Sequence, residues 1–199
     1  MENKTKQKIL EVSLDLFSLN GYEATSMSQI AEAVGIRKAS LYAHYKSKKE
    51  IFDTIRKIAE KKYEENSIFF KTDFVTLNLI NFPSDLVKQV LQQVNYIIHN
   101  PYISKFRKLM TIEQFRNIEI ANMQSKYSYD NVLNYSCSLI TYLIKNGVLI
   151  NGDIKAMASE FAFPISMWIN LCDRNPSKED EAIDLIKNHI MQFYKAYKK

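Results

Sequence analysis

Apolar residues recur at helical spacing along most of the chain. The first stripe lies in residues 4–19 and consists of Ile9, Leu10, Val12, Leu14, Leu16, Phe17 and Leu19. Comparable patterns predict further helices over residues 27–34, 38–44, 47–65, 85–100, 102–116, 118–123, 128–145, 153–173 and 178–197. Residues 66–84 are ambiguous, since 67–74 fit a continued helix and Pro83 marks a break. With only four Gly and four Pro in 199 residues, the sequence predicts an all-α fold of long helices.

Two short helices joined by a tight turn are predicted within residues 26–45. Ser26 and Gln29 form a capping-box pattern at the start of the first helix. Gly35 permits the positive φ that ends this helix. The spacing of Ala31, Gly35 and Leu41 fits a helix-turn-helix. In that motif the small Ala lets two helices cross closely, the Gly turns the chain, and the Leu holds the second helix against the first.

Positive charge is concentrated around the second of these helices. Between residues 37 and 49 the sequence has no acid and five cationic side chains, which are Arg37, Lys38, Lys46, Lys48 and Lys49. Two of them stand at the N-terminal end, where the helix dipole disfavours a cation by about 0.3–1 kcal/mol. That end of a recognition helix is the part that meets base edges. The net charge of +5 is by itself weak evidence for nucleic-acid binding. The distribution of the charge, however, predicts contact with phosphates. A basic face that only meets solvent is the alternative.

The same region resembles the DNA-binding segment of the TetR-type (tetracycline-repressor-like) bacterial transcriptional regulators. The resemblance runs from about residue 5 to residue 52 and is carried by Thr25-Ser26-Met27, Ile30-Ala31, Val34-Gly35-Ile36, Lys38-Ala39-Ser40-Leu41-Tyr42 and His44-Tyr45-Lys46-Ser47-Lys48-Lys49-Glu50-Ile51-Phe52. The family usually has a small capping residue where this chain has Arg37. The resemblance implies a three-helix helix-turn-helix DNA-binding domain over residues 1–46. A larger α-helical effector-binding and dimerisation domain would follow over residues 47–199.

A regulator of this type is expected to bind double-stranded DNA at a palindromic operator as a homodimer, and to be released by a small-molecule effector. The predicted DNA-binding residues are Thr25, Ser26, Met27, Arg37, Lys38, Ala39, Ser40, Tyr42, His44, Tyr45, Lys46 and Lys48. Base or groove contacts are assigned to Arg37, Lys38, Ser40 and Tyr42, and phosphate contacts to Thr25, Ser26, Tyr45, Lys46 and Lys48. Helix capping alone explains Thr25 and Ser26 equally well. His44 fits a backbone contact or an ordinary surface histidine.

The last two predicted helices carry wide apolar stripes. Two such stripes exceed what the core of one small chain needs, so they suggest a partner subunit and a four-helix interface. The residues predicted at this dimer interface are Ile154, Phe161, Ile165, Ile183, Ile186, Ile190 and Phe193. The alternative is that both stripes face the core of their own chain.

The second half of the chain is rich in Tyr, Phe and Met. The candidates for lining an effector pocket are Tyr96, His99, Tyr102, Phe106, Met110, Met123, Tyr127, Tyr135 and Trp168. Each of them taken singly is more typical of a core, so the pocket is implied mainly by the resemblance. An apolar or aromatic effector would suit such a lining.

Sequence motifs of catalysis and metal binding are missing. The sequence has no phosphate-binding glycine loop, HExxH, CxxC or GxSxG motif, and its three histidines lie far apart. We therefore predict no catalytic residue, metal or cofactor. The sequence also lacks an 18-residue apolar run and a signal-peptide pattern, so a cytoplasmic protein without a membrane partner is expected. The alternative function is an all-α small-molecule-binding or enzymatic domain that does not bind DNA.

Overall fold

The computed structural model describes residues 2–66 and 79–199, and these ranges are almost entirely helical. Their ten α-helices are α1 (Glu2–Asn20), α2 (Met27–Val34), α3 (Lys38–His44), α4 (Lys48–Asn66), α5 (Ser84–His99), α6 (Pro101–Glu113), α7 (Ile118–Ser125), α8 (Asn131–Lys145), α9 (Ile154–Arg174) and α10 (Glu179–Tyr197). The predicted all-α fold is confirmed. The possible continuation over residues 67–74 lies outside the described residues. Among the described helices, none is both long and apolar enough to cross a bilayer.

Two helix ends differ from the prediction by three residues. Helix α6 ends at Glu113 instead of residue 116, because the amides of Arg116 and Asn117 both bond to the Glu113 carbonyl, at 2.9 and 3.0 Å. The residues before α8 form a π-helical turn, Lys126–Asp130, so regular α-helix begins at Asn131 instead of residue 128. Sequence periodicity has no signal for these local changes of hydrogen-bond register.

The apolar stripe of α1 is narrower than predicted. Its buried apolar residues are Ile9, Leu10, Leu14 and Phe17, and Ser13 is buried among them. Leu19 is 78% exposed, because at 3.6 residues per turn it lies on a different face from Leu14. Spacing alone placed it in the stripe, but only the position of the neighbouring helices decides which side of a helix is covered.

Contacts divide the chain into two compact units. The first comprises Met1–Asn66 and Pro101–Gln124. In it, α1 packs on α2, α4 and α6, while α3 packs on α2. An ion pair joins Asp15 of α1 to Lys105 of α6, and the Tyr102 hydroxyl donates to the Ile55 carbonyl at 3.2 Å. These contacts attach a helix from the middle of the chain to the N-terminal helices. The predicted domain boundary at residue 46 stays a prediction.

The second unit comprises Ser67–Asn100 and Ser125–Lys199. Here α9 packs along α8, α10 and α5. Helix α9 begins with an Asp153 side-chain cap, which accepts from the Ala156 amide at 3.0 Å, and it continues through Pro164 to Arg174. Beyond α10 the backbone pairs with the α8–α9 connection, where the Ile150 amide donates to the Tyr197 carbonyl at 2.8 Å.

Candidate nucleic-acid interface

The start and end of α2 are fixed by local sequence. The Gln29 amide donates to the Ser26 hydroxyl at 3.2 Å, and the Ser26 amide donates to the Gln29 side chain at 2.8 Å. This reciprocal pair is the predicted capping box. At the other end Gly35 adopts φ +80°, and its amide bonds to the Ala31 carbonyl at 3.0 Å. The predicted helix stop is therefore confirmed, and it turns the chain towards α3.

One apolar side chain holds α3 against the helices before it. Leu41 is the only residue of α3 that is buried, and it is 0% exposed. Helix α3 packs on α2, whose buried residues include Ile30, Ala31 and Val34. A helix of seven residues is too short to be stable alone, so its position depends on this anchor. The other residues of α3 are exposed, except His44, which is half-buried.

Three of the five cations around α3 are free to meet a ligand. Arg37, Lys38 and Lys46 are exposed, and within the described ranges their charged groups make no ion pair or hydrogen bond. Arg37 occupies the N-cap position but makes no capping bond with its side chain. Lys49, in contrast, pairs with Glu119 at 3.1 Å and Asp53 at 3.6 Å, and the hydrogen bond to Glu119 is the main cause that raises its pKa.

Lys48 has partners inside its own unit. Its Nζ donates to the carbonyl oxygens of Tyr22, at 2.6 Å, and Glu23, at 3.3 Å. The same ammonium lies 4.3 Å from the centroid of the Tyr22 ring. Tyr22 packs on Phe17 and Phe52, with ring centroids 5.3 and 5.1 Å away, and this burial raises its pKa. Lys48 thus attaches α4 to the α1–α2 turn, which sequence reasoning missed because the acceptors lie 26 and 25 residues upstream.

A second lysine with a missed role is Lys8. Its Nζ donates to the Val34 carbonyl at 2.9 Å. That carbonyl belongs to the last turn of α2, where unpaired carbonyls and the helix dipole favour a cation. Lys8 therefore attaches α1 to the end of the helix that precedes α3. Nothing in the local sequence pattern signals this contact.

The other predicted DNA-binding residues divide by exposure. Those with exposed side chains are Ser26, Ala39, Ser40 and Tyr42, and His44 is half-buried. Thr25 is only 2% exposed, and its hydroxyl donates to the Gly21 carbonyl at 2.8 Å. Met27 and Tyr45 are also buried, and burial raises the pKa of Tyr45. These three side chains have little exposed surface for a DNA contact, and their assignment to DNA stays a prediction.

The predicted effector-pocket residues do not fall into one unit. Tyr102, Phe106, Met110 and Met123 belong to the first unit, and Tyr96, His99, Tyr127, Tyr135 and Trp168 belong to the second. Phe106, Met110 and Tyr135 are buried. Burial raises the pKa of Tyr102, and that of Tyr135 to about 12. His99 is exposed and its Nε2 lies 2.7 Å from Glu179 Oε1.

A surface depression on α5 is separate from all of these residues. It has a volume of about 460 Å³ and is lined by Ser84, Val87, Lys88, Leu91, Gln92 and Asn95. It is open to solvent, in contrast to the enclosed pockets typical of small-molecule sites. The predicted pocket lining stays a prediction. In the described part of the chain, no three His, Cys, Asp or Glu side chains lie together as metal ligands would.

Most of the predicted dimer-interface residues are already buried within one subunit. Phe161, Ile165, Ile186, Ile190 and Phe193 pack in the core of the second unit. These five side chains retain little exposed surface for a partner to cover, and the predicted dimer interface stays a prediction. Ile154 is exposed and Ile183 is half-buried. The sequence alone does not show how much of these stripes α5 and α8 cover.

Known proteins match this architecture in sequence and in fold. Residues 9–60 match the model of the family described as bacterial regulatory proteins, tetR family. The chain is 30% identical over 134 residues to IcaR of Staphylococcus epidermidis, a biofilm operon HTH-type negative transcriptional regulator, covering 65% of this chain and 68% of that protein. Of two other curated regulators that it matches, the chain spans 46% and 56% of their length.

Solved structures support the fold of the described residues. A structure from Mesorhizobium loti described as a TetR-family regulator has a TM-score of 0.70 at 19% identity, covering 100% of this chain and 99% of that one. The complex of SmeT, a Stenotrophomonas maltophilia repressor, with triclosan has a TM-score of 0.64 at 19% identity, covering 98% and 92%. Together with the helix-turn-helix geometry and the relative from Staphylococcus epidermidis, these matches lead to one conclusion: the chain belongs to the TetR family of bacterial transcriptional regulators.

Proposed function

We propose that the protein is a homodimeric repressor that places α3 of each subunit in the major groove of a palindromic operator. The observation that carries this proposal is the set of exposed, unpaired cations Arg37, Lys38 and Lys46 at the two ends of a helix anchored by Leu41. Two-fold symmetry requires half-sites about one helical turn, or a multiple of it, apart. That the similar IcaR is a negative regulator supports repression over activation.

The exposed residues divide into two kinds of contact. Arg37, Lys38 and Ser40 stand at or near the N-terminal end of α3, and Tyr42 lies in its second half. These four are assigned to base edges or the groove, with Ala39 suited to a thymine methyl. Ser26 and Lys46 lie outside the helix on either side and are assigned to phosphates. A selection from randomised duplexes, followed by a gel shift with the selected sequence, tests the proposal. Failure to enrich any sequence would favour a helical domain without DNA binding.

Lys46 and Lys48 are expected to respond differently to truncation. Lys46→Ala removes an unpaired cation, so the log–log slope of operator affinity against salt should become shallower by about one unit. Lys48→Ala removes hydrogen bonds from a charged donor to the carbonyls of Tyr22 and Glu23, so it should lower the free energy of unfolding by about 1–2 kcal/mol. Salt titrations and urea unfolding of both variants measure these effects. Equal slope changes in the two variants would return Lys48 to the phosphate contacts.

A dimer interface is proposed on the outward faces of α9 and α10. On α9, Phe163, Met167 and Leu171 lie at i, i+4 and i+8, and Met167 is 60% exposed. On α10, Leu185 and Met191 are exposed on the side away from the buried Ile186 and Ile190. Exposed apolar residues on neighbouring helices are typical of a surface that a partner covers. The interface is thus moved from the predicted inward stripe to the residues that retain surface.

Charged substitutions on this surface should separate the subunits. Met167→Asp combined with Leu185→Asp places carboxylates in an apolar interface while leaving the subunit core intact. Sedimentation equilibrium should then give the mass of one 23.3 kDa chain, where the unchanged protein gives twice that mass. Leu19→Asp, at an exposed leucine of the first unit, is the matched control and should remain dimeric. A double variant that stays dimeric would rule out this surface.

The effector is proposed to be an apolar or aromatic small molecule. The aromatic and Met side chains predicted to line the effector site lie within residues 96–168. The similar SmeT is known in complex with triclosan, an aromatic compound. A ligand can release the operator only if its affinity for the DNA-incompetent form of the protein exceeds its affinity for the DNA-binding form. Titration of triclosan into the protein–operator complex is a first test, with loss of the gel shift as the expected result.

A further inference from the structure

A buried carboxylate from α6 contacts the turn between α1 and α2. Glu113, the last residue of α6, is 0% exposed. Its Oε1 lies 3.4 Å from the amide nitrogen of Glu23 and accepts its N–H. The approach is close enough that a side chain at residue 21 would displace the carboxylate. A Cβ on Gly21 would lie 2.3 Å from Glu113 Oε1 and 3.3 Å from Ile112 Cγ2. Gly21 also adopts φ +90°, a conformation that other residues rarely accept.

Glu113 is an unfavourable choice for a purely structural contact. Burying a carboxylate is costly unless its oxygens are paired, and Glu113 Oε2 is buried without a protein partner. Helix α6 is already attached by the ion pair between Lys105 and Asp15 and by the hydrogen bond from Tyr102 to the Ile55 carbonyl. Because other bonds already attach α6, the energetically costly burial of the Glu113 carboxylate indicates a role in function instead of stability.

The turn that Glu113 contacts leads directly into the helix-turn-helix. Glu23 precedes Thr25, whose hydroxyl bonds back to the Gly21 carbonyl, and Ser26, which caps α2. Lys48 holds the Tyr22 and Glu23 carbonyls from the side of α4. A shift of this turn would therefore move the start of α2, and with it α3, which packs on α2.

We infer that Glu113 is a positioning residue for DNA binding, which fixes the α1–α2 turn so that α2 and α3 present the recognition surface correctly. It touches no DNA in this role. The inference rests on the proposed function, because its readout is operator affinity. It makes α6 part of the DNA-binding apparatus, although α6 lies more than fifty residues beyond the recognition helix in the sequence.

The test compares Glu113→Ala with Glu113→Gln in the full chain, using the duplex that the unchanged protein selects from a randomised library. Glu113→Ala should weaken binding by about tenfold, within the range of typical coupling between sites, while its melting temperature stays equal or rises. Glu113→Gln keeps an oxygen acceptor for the Glu23 amide and should bind within about twofold of the unchanged protein. Hydrogen exchange at the Glu23 amide should speed up in Glu113→Ala only.

A second pair of variants checks the contact itself. Gly21→Ala should lower the melting temperature more than Gly147→Ala, because Gly147 has φ +71° but no atom within 4 Å of an added Cβ. Adding Glu113→Ala to Gly21→Ala should recover that difference by removing the clash. No recovery would mean that Glu113 does not occupy this position, which overturns the inference.

The outcomes separate this inference from the proposed function. If the unchanged protein selects no duplex, the proposed function fails and this inference fails with it. If it selects a duplex that Glu113→Ala binds equally well, only the inference fails. A drop in affinity that parallels a drop in melting temperature would also overturn it, because Glu113 would then be merely structural.

Discussion

Leu41→Ala is expected to lower the free energy of unfolding by about 2–5 kcal/mol, the range found when a large buried side chain is cut back to Ala. Leu41 is 0% exposed and is the only buried residue of α3. No other side chain of this helix can compensate, and seven residues do not form a stable helix alone. Operator binding should therefore be lost at temperatures where the second unit is still folded. Urea unfolding followed by circular dichroism, together with a gel shift, measures both effects.

Leu19→Ala is the matched control for this substitution. Leu19 is 78% exposed on α1, and changes at such surface positions usually stay within about 0.5 kcal/mol. It should therefore leave both stability and operator affinity unchanged. If Leu41→Ala is as stable as Leu19→Ala, then Leu41 does not anchor α3, and the geometry of the recognition surface has another origin.

Arg37→Ala is expected to weaken operator binding by about 1–3 kcal/mol and to relax the base preference at one position of each half-site. The guanidinium is exposed, makes no bond within the described residues and stands at the N-terminal end of α3. Its planar fork suits the O6 and N7 atoms of guanine, which a lysine cannot contact in the same way. Arg37→Lys should therefore keep much of the affinity but lose the guanine preference.

The controls for Arg37 separate charge from recognition. Arg174→Ala removes the same charge from an exposed position at the end of α9, so it should leave the selected sequence unchanged. Because Arg37 makes no capping bond, Arg37→Ala should unfold like the unchanged protein. Repeating the duplex selection with each variant gives the measurement. A wild-type base preference in Arg37→Ala would show that Arg37 contacts only phosphate.

Features that depend on neighbouring residues were predictable from the sequence. The capping box of Ser26 and Gln29, the left-handed Gly35 and the inward Leu41 all follow from spacings of ten residues or fewer, and the structure confirms each. Local backbone hydrogen bonds and sterics decide such features, so a single sequence contains the information. The number and order of the helices in the described ranges were predictable for the same reason.

Features that depend on packing between distant segments were not predictable. The cationic run predicts a phosphate contact for Lys48, whereas in the structure its ammonium donates to main-chain carbonyls of Tyr22 and Glu23. Glu113 carries no motif, and its burial follows from where α6 lies on α1. The stripes of α9 and α10 could be counted, but the sequence does not say which part of them other helices of the same unit already cover.

The discontinuity of the first unit limits how this regulator can be re-engineered. Transplanting only the N-terminal helices onto the remainder of another TetR-family protein would leave behind Tyr102, Lys105 and Glu113, which contact α4, α1 and the α1–α2 turn. A chimaera that joins two regulators after α3 or α4 would thus combine surfaces that did not evolve together. A chimaera that contains Pro101–Gln124 together with Met1–Asn66 would keep these contacts intact.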